Sequence, residues 1–520
     1  MAEGFRVTYA TMSADDEEMH KLYDEGIEKA KAWIGRKHPF YVNGEAREGT
    51  GYHAEVSPVD SELIIGEFAQ GTRQDAKDAI AAAKDFAPIW AATPWEERVR
   101  ILNKAADLIS ENRNELSALM AMEVGKNRLE ALGDIEESAD LIRWNCHAME
   151  EHNGFREPMQ QLGAPGEYYD VMRPYGVWAI ISPFNFPMAL SAGPSSAALA
   201  AGNCVVFKPS NAGAATGIRL FEIYRDAGVP AGAFHYVSGP GSEVGDEFVS
   251  SPDVGGLTFT GSYTVGMSIY KNFAKEYPKP VICEMGGKNP TIVTKNADLD
   301  KATDGVMRSA FGLQGQKCSA NSRVYVEREV YEDFVAQLKD KTDRIKLGNP
   351  LDKDVYLGPV INEAALKTYE EASQEARNSG EIITGGERVT DGDLARGNYV
   401  KPTVAAVPRD SWIWRRELFV PFVAVGPVDS LDEALELAND TEYGLTAGFY
   451  SEDDKEVDRF LSEIEAGVVY VNRPAGSTTG AWPGAQPFGG WKGSGTTGKA
   501  SGGPYYVLQY MREQSRTVIE

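Results

Sequence analysis

At 520 residues the chain exceeds what one hydrophobic core organises, so two or three packed units are expected. Hydrophobic residues at 42% and charged residues at 25%, with no low-complexity tract, exclude a disordered or fibrous protein. Lys and Arg number 52 against 77 Asp and Glu, and the net charge of −25 repels nucleic acid and anionic lipid, which argues against either as a partner.

Residues 1 to about 38 are polar and acidic with helical spacing, and no basic segment followed by an apolar one opens the chain. Phe40 to Gly44 and Glu55 to Phe68 alternate as strands do. Two helices follow: one from Asp75 to Trp90, and a second opening with Thr93 as N-cap, Pro94 in the first turn and Glu96 as the capping acid. The polar stretch from His152 to Tyr175 reads as β-hairpin material.

From Gly176 the rhythm changes to short apolar runs alternating with helices: VWAII, CVVF, a helix around Ile218 to Ala227 stopped by Gly228 and Pro230, then FHYV, LTF and PVIC. Continuous β-branched runs of this kind read as parallel strands buried on both faces, and hence as a doubly wound α/β domain. The apolar stretch from Val177 to Phe207 is interrupted by Pro183, Pro187 and Pro194, so no membrane span is expected, and the sequence reads as cytoplasmic. A second α/β segment starts near Asn289 with TIV, a helix through Val306 and Phe311, SRVYV and a helix from Val330 to Arg344, and ends near Val471. The tail from Tyr505 reads as a final strand.

The four cysteines, Cys146, Cys204, Cys283 and Cys318, are widely spaced without a CxxC pair, and the six His residues scatter, so neither a disulfide framework nor a metal centre is expected. Cys318 stands in FGLQGQKCSANSRV, between a small-residue helix and a strand, where a sharp turn presents a thiol to a cleft or packs an inert one. Cys204 and Cys283 lie inside apolar strands and read as inert. Glu284 ends PVIC on a glycine turn, as a general base of raised pKa or as a partner for Lys288. Asn185, between Pro183 and Pro187, is an oxyanion donor or a turn former. Gly261 and Gly266 follow a strand and open a helix, where amides meet phosphate or merely turn the chain; the spacing is not GxGxxG.

Seven stretches occur in one order: SPFNFP at 182–187, FKPS at 207–210, FTGSYTVG at 259–266, EMGGKNP at 284–290, GQKCSA at 315–320, RELF at 416–419 and PFGGWKGSG at 487–495. Together they resemble the aldehyde dehydrogenase superfamily from about Phe40 to the C-terminus. QKCSANSR, NDTEYGLTAG at 439–448 and the glycine-rich run at 479–504 are most similar to its 1-pyrroline-5-carboxylate dehydrogenase branch. Phe184 stands where Trp is commoner, and RELFVPF replaces the frequent EEIFGP.

The resemblance implies a Rossmann-type cofactor domain (1–154 and 176–288), an α/β catalytic domain (289–475) and a small β oligomerisation arm (155–175 and 500–520) that makes a homo-oligomer. It implies oxidation of glutamate γ-semialdehyde to glutamate with NAD or NADP, with another semialdehyde such as succinate semialdehyde, an aliphatic aldehyde, or a catalytically silent homologue as the alternatives. Cys318 is then the nucleophile, Glu284 the base that activates water, and Asn185 the oxyanion donor. Lys208 reaches the adenosine ribose, Ser262 and nearby glycines the pyrophosphate, and Glu417 the nicotinamide ribose beside Phe419. Ser182, Pro183, Ser210, Asn211, Gly241, Gly245, Gly261, Gly266 and Gly286 complete the cofactor set. Neutral Asn211 stands where many NAD-preferring relatives carry Glu, so both cofactors are expected. The carboxylate end of the substrate falls to Ser319 with the amides of Gly480 and Ala481, and its chain to Phe184 and Phe488.

Overall fold

Residue 8, residues 12–474 and residues 482–519 are described by the structure, a computed structural model. The apolar runs VWAII and CVVF become the strands Val177–Ile181 and Cys204–Lys208, buried because helices cover both faces of their sheet. They pair in parallel with each other, Cys204–Lys208 then with Phe234–Tyr236, and Val177–Ile181 on its other side with Gly256–Thr260, which in turn pairs with Val281–Glu284. Chain order therefore runs outward from Val177–Ile181 in one direction and then returns to start again on its other side. At such a reversal the loops leaving the carboxyl ends of the strands diverge and open a crevice. The antiparallel strands Phe40–Val42 and Glu45–Arg47 close the far edge.

A second seven-stranded sheet is built around Asn289–Val293, Asn321–Glu327 and Phe422–Val428, all parallel, with Thr446–Tyr450 and Val468–Val471 on one side and Thr403–Ala406 and the antiparallel Glu381–Thr384 on the other. A third sheet holds Arg156–Pro158, Gly166–Pro174 and Met511–Ile519, the last two in continuous antiparallel register from Gly166 opposite Ile519 to Pro174 opposite Met511.

Three sequence expectations are corrected. The strand expected over Glu55–Phe68 is two strands, Tyr52–Val56 and Ile64–Ala69, because Asp60 closes a turn between them, its side chain accepting from the Glu62 N–H and its carbonyl from the Leu63 N–H. Thr93 does not cap the helix Trp95–Glu111: Pro94 holds the cap position without a side-chain bond, and the Thr93 hydroxyl turns back to the Ile89 carbonyl. The tail joins the arm only from Met511. Residues before Met511 fold onto the main body, where Tyr506, Val507 and Tyr510 are buried and the two tyrosine hydroxyls bond each other at 2.8 Å.

Beneath the crevice lies an ion pair removed from solvent altogether. Lys126 Nζ meets Asp134 Oδ2 at 2.7 Å with both side chains at 0% exposure, Asp134 Oδ1 accepts from the Ala189 N–H at 2.8 Å, and the ammonium sits 3.7 Å from the Phe186 ring centre. It ties the helix Arg128–Glu151 to the segment that follows Asn185. Removing one partner strands the other charge without water, so Asp134→Ala is expected to cost about 3–5 kcal/mol. Thermal unfolding should fall by several degrees, and a midpoint equal to wild type would contradict the assignment.

Candidate active site

The carboxyl ends of four parallel strands converge on one cavity of about 590 Å³. Val177–Ile181 delivers Ser182, Pro183, Phe184 and Asn185; Cys204–Lys208 delivers Lys208, Ser210 and Asn211; Gly256–Thr260 delivers Gly261 and Ser262; Val281–Glu284 delivers Met285 and Gly286. The opposite wall comes from the amino ends of the second sheet, where Cys318 precedes Asn321–Glu327 and Glu417 and Phe419 precede Phe422–Val428. Phe184 and Phe419 meet edge to face across the cavity, with centroids 6.0 Å apart.

The turn before Cys318 is strained and clamped. Leu313 and Gln314 take left-handed backbone at φ 45° and 55°, a conformation that costs a non-glycine residue about 1 kcal/mol or more and persists only when surroundings enforce it. Here Glu130 Oε2 accepts from the Leu313 N–H at 2.8 Å, its Oε1 meets Lys317 Nζ at 2.8 Å, and the Gln314 amide donates to the Gly125 carbonyl at 3.2 Å. Beyond the thiol, Asn289 Nδ2 donates to the Cys318 carbonyl at 2.7 Å and to that of Ala320 at 2.9 Å, while Asn289 Oδ1 accepts from the Thr446 N–H at 3.0 Å. The Cys318 side is thus held on both flanks by residues of other elements.

Asn185 Nδ2 donates to the Gln316 carbonyl at 3.0 Å, which places the amide against the same turn. Glu284 faces the Gly490 N–H, and its Oε2 is buried with no hydrogen-bond partner among the described residues. Burial raises its carboxyl well above the ordinary range. Lys288 is not its counter-ion, since Nζ of Lys288 is itself buried without a hydrogen-bond partner among the described residues. Glu417 Oε1 accepts from the Gly287 N–H at 2.9 Å, and burial raises this acid to about 7. The missing side chain of Gly286 admits that carboxylate: a Cβ there would stand 2.1 Å from Glu417 Oε2. The Cys318 thiol is pushed up to about 12 by burial and then by the charges of Glu417 and Glu284, opposed by the backbone N–H groups of Ser319 and Cys318. Cys204 and Cys283 are buried within their strands, where burial holds each thiol near 12.

Lys208 also lines a neighbouring cavity of about 850 Å³ with Gly241, Gly245, Val249, Phe259 and Val265. Its ammonium donates to the Pro209 carbonyl at 3.1 Å, and burial lowers it to about 8. Between the two cavities Ser262 caps the helix Tyr263–Phe273, whose amino end supplies free N–H groups and a positive dipole. An apolar slot, a helix start and a buried lysine that lines both cavities fit a dinucleotide lying across the crevice.

Some expected site residues fall elsewhere. Gly266 lies inside the helix and off both cavity walls; a Cβ there would meet Met285 Sδ at 2.5 Å, so this glycine serves close packing. Ser319 is buried behind the thiol, its carbonyl accepting from the Thr446 hydroxyl at 3.1 Å, and does not line the cavity. Phe488 is half-buried, bridged to Ser501 through both backbone groups, and is also off the cavity wall. Gly480 and Ala481 lie outside the described residues. Sequence reasoning missed the clamps Glu130, Asn289 and Thr446, although Asn289 and Thr446 stand inside motifs already singled out. Among the described residues no group of His, Cys, Asp and Glu is placed to hold a metal ion, and no helix is long and apolar enough to cross a membrane.

The model of the aldehyde dehydrogenase family matches residues 45–516. The chain belongs to the aldehyde dehydrogenase family. It is 36% identical over 506 residues to a 1-pyrroline-5-carboxylate dehydrogenase of Geobacillus sp. (strain WCH70), covering 96% of each chain. Among solved structures it is similar to 1-pyrroline-5-carboxylate dehydrogenase from Thermus with bound NAD, at TM-score 0.93, 33% identity and full coverage of both chains. It is likewise similar to proline utilization A from Bdellovibrio bacteriovorus, at TM-score 0.91 and 36% identity, where 96% of this chain spans 52% of that longer one. The family accounts for both the α/β fold and the order in which the motifs meet at the crevice.

Proposed function

We propose that this enzyme oxidises L-glutamate γ-semialdehyde, the open form of 1-pyrroline-5-carboxylate, to L-glutamate with NAD or NADP, as a step in proline breakdown. The observation that supports the chemistry is that Cys318 and Asn185 line one cavity, with the charge of Glu284 felt at the thiol. The narrower substrate rests on the 36% identity, over nearly the whole chain, to a relative of that name.

The Cys318 thiol gives its proton to solvent, Sγ attacks the aldehyde carbon as the carbonyl electron pair moves onto oxygen, and the resulting oxyanion is received by the Asn185 amide and the Cys318 backbone N–H. When bound, the oxidised nicotinamide cofactor supplies a cationic ring that favours the thiolate and an acceptor for the substrate hydride. Loss of that hydride leaves a thioester on Cys318. Glu284 then takes a proton from water, hydroxide adds to the thioester carbonyl, and collapse releases the carboxylate product and the free thiol. Only ionised Glu284 can do this, and its pKa is raised, so deacylation grows with pH above the ordinary carboxylate range. Lys208 and Ser210 hold the adenosine ribose, Ser262 the pyrophosphate, and Glu417 the second ribose. Homo-oligomers form through the arm strands Gly166–Pro174 and Met511–Ile519.

The deciding measurement is kcat/KM for 1-pyrroline-5-carboxylate, succinate semialdehyde and a simple aliphatic aldehyde, each with NAD and with NADP. A preference of about tenfold or more for the pyrroline substrate is expected, and equal values or another winner would overturn the substrate assignment. Asn211 lines the cavity as a neutral side chain and repels no 2′-phosphate, so both cofactors are expected to work. A preference for NAD above about a thousandfold would refute that.

A further inference from the structure

The stretch PFGGWKGSG belongs to neither seven-stranded sheet, yet one of its residues meets a loop from each of them. Ser494 is wholly buried. Its Oγ accepts from the Gly444 N–H at 3.1 Å, just ahead of the second-sheet strand Thr446–Tyr450. The same hydroxyl donates to the Gly286 carbonyl at 2.7 Å, in the loop that follows Val281–Glu284. An amide N–H only donates and a carbonyl only accepts, so the direction of both bonds is fixed.

The Gly286 carbonyl and the Gly287 N–H are the two ends of one peptide group, and in a trans peptide they point opposite ways. That N–H donates to Glu417 Oε1 at 2.9 Å. A single line of bonds therefore runs from the Gly444 N–H through the Ser494 hydroxyl and across one peptide plane to a carboxylate that lines the cavity. It starts and ends on the second-sheet side of the crevice and passes through a loop of the first sheet.

The peptide does not fix its own plane, since glycine flanks it on both sides. Neither glycine has room for a side chain: a Cβ at Gly286 would stand 2.1 Å from Glu417 Oε2, and one at Gly287 would stand 2.4 Å from the Cys318 carbonyl oxygen. The ends of the turn are held separately, the Met285 N–H by the Ser494 carbonyl at 2.8 Å and the Lys288 carbonyl by Arg323 Nε at 2.7 Å. Those bonds leave the orientation of the middle peptide open. We propose that Ser494 is a positioning residue for Glu417: its hydroxyl sets the plane of the Gly286–Gly287 peptide, whose N–H aims that carboxylate at the nicotinamide ribose. Ser494 touches neither substrate nor cofactor in this role and gives up no proton. The inference rests on the assignment of Glu417 to that ribose.

Ser494→Ala removes the hydroxyl and keeps the backbone bond to Met285. At saturating cofactor, hydride transfer in the first turnover, followed as a burst of reduced cofactor, is expected to slow about tenfold. The cofactor dissociation constant, read by fluorescence titration, is expected to stay within about threefold, because Lys208 and Ser262 hold the other end of the dinucleotide. Acyl-enzyme does not build up, since the slowed step precedes the thioester. The decisive comparison repeats Ser494→Ala in a Glu417→Ala background, where the second substitution is expected to change the burst rate by less than about twofold. A full tenfold loss in that background, or a wild-type burst in Ser494→Ala alone, overturns the proposal. So does acyl-enzyme that accumulates behind an unchanged burst, which would place the effect at Glu284 instead. Should Ser494→Ala fail to fold, Ser494→Cys, whose thiol is a weak donor of similar size, carries the same comparison with an expected loss of about threefold, and a burst at the wild-type rate overturns the proposal equally. Failure of the underlying reading looks different: Glu417→Ala alone would then keep the wild-type burst rate, whatever the Ser494 variants do.

Discussion

Cys318→Ala is expected to abolish aldehyde oxidation, lowering kcat by about 10⁴-fold or more, because among the described residues Cys318 is the one thiol that lines the cavity and hydride cannot leave an aldehyde carbon that has not first been made tetrahedral. Cofactor binding is expected to stay within about twofold of wild type, as the residues placed against a dinucleotide, Glu417 and Phe419 apart, come from the other sheet and the slot beyond Lys208. Fluorescence titration with each cofactor reads the second quantity and steady-state kinetics the first. Retained turnover would remove the thiol from the mechanism, and a collapse of cofactor affinity would show that Cys318 shapes the cavity as well as reacting in it. Cys318→Ser is a stricter version: the hydroxyl fits the same clamped turn, yet its far higher pKa leaves it without anion character where even the thiol is raised to about 12.

The elements that bear the site were legible because their signals are local. A β-branched run such as VWAII needs cover on both faces, and a Gly or Pro where the run stops marks the loop that leaves the sheet. Once the motifs are placed on those loops, the reversal of strand order brings SPFN, KPSN, TGS and MGG to one crevice. What the sequence hid is mostly tertiary. Glu130 braces Leu313 and Lys317 from more than 180 residues away, and nothing in the spacing of either segment announces that pairing. The left-handed backbone at Leu313 and Gln314 was illegible for the same reason, since neither residue favours it unaided. Gly266 resembled a phosphate-loop glycine, but the side chain it makes room for, Met285, comes from the loop that follows Val281–Glu284. Thr93 matched a capping pattern and lost to the Ile89 carbonyl. The tail from Tyr505 read as a final strand, but Tyr506 and Tyr510 are buried against the main body, and the strand starts only at Met511.

Removing the base should separate the two halves of the reaction. Glu284→Ala is expected to carry out one round of hydride transfer and then stall, with kcat lowered by about 10²–10⁴-fold, the range that general base catalysis commonly supplies. Two things follow from where the carboxylate sits. Its loss removes one of the negative charges that hold the Cys318 thiol up, so the nucleophile should become easier to ionise and the first turnover should not be slowed by electrostatics. Water entering the space it vacates meets the Gly490 N–H, which donates and cannot take a proton, so the thioester faces water without a base. The acylated protein should therefore persist, visible as a mass increase of one glutamyl group on the intact chain after mixing with 1-pyrroline-5-carboxylate and cofactor. A burst of reduced cofactor equal to the concentration of active sites should accompany it. The remaining slow turnover should also lose the acidic limb that Glu284 gives to the wild type, since no other group in the step needs to ionise. If the variant turns over at the wild-type rate with no acyl-enzyme, the base lies elsewhere, and Glu417, a carboxylate that lines the cavity and is raised by burial, becomes the residue to replace next.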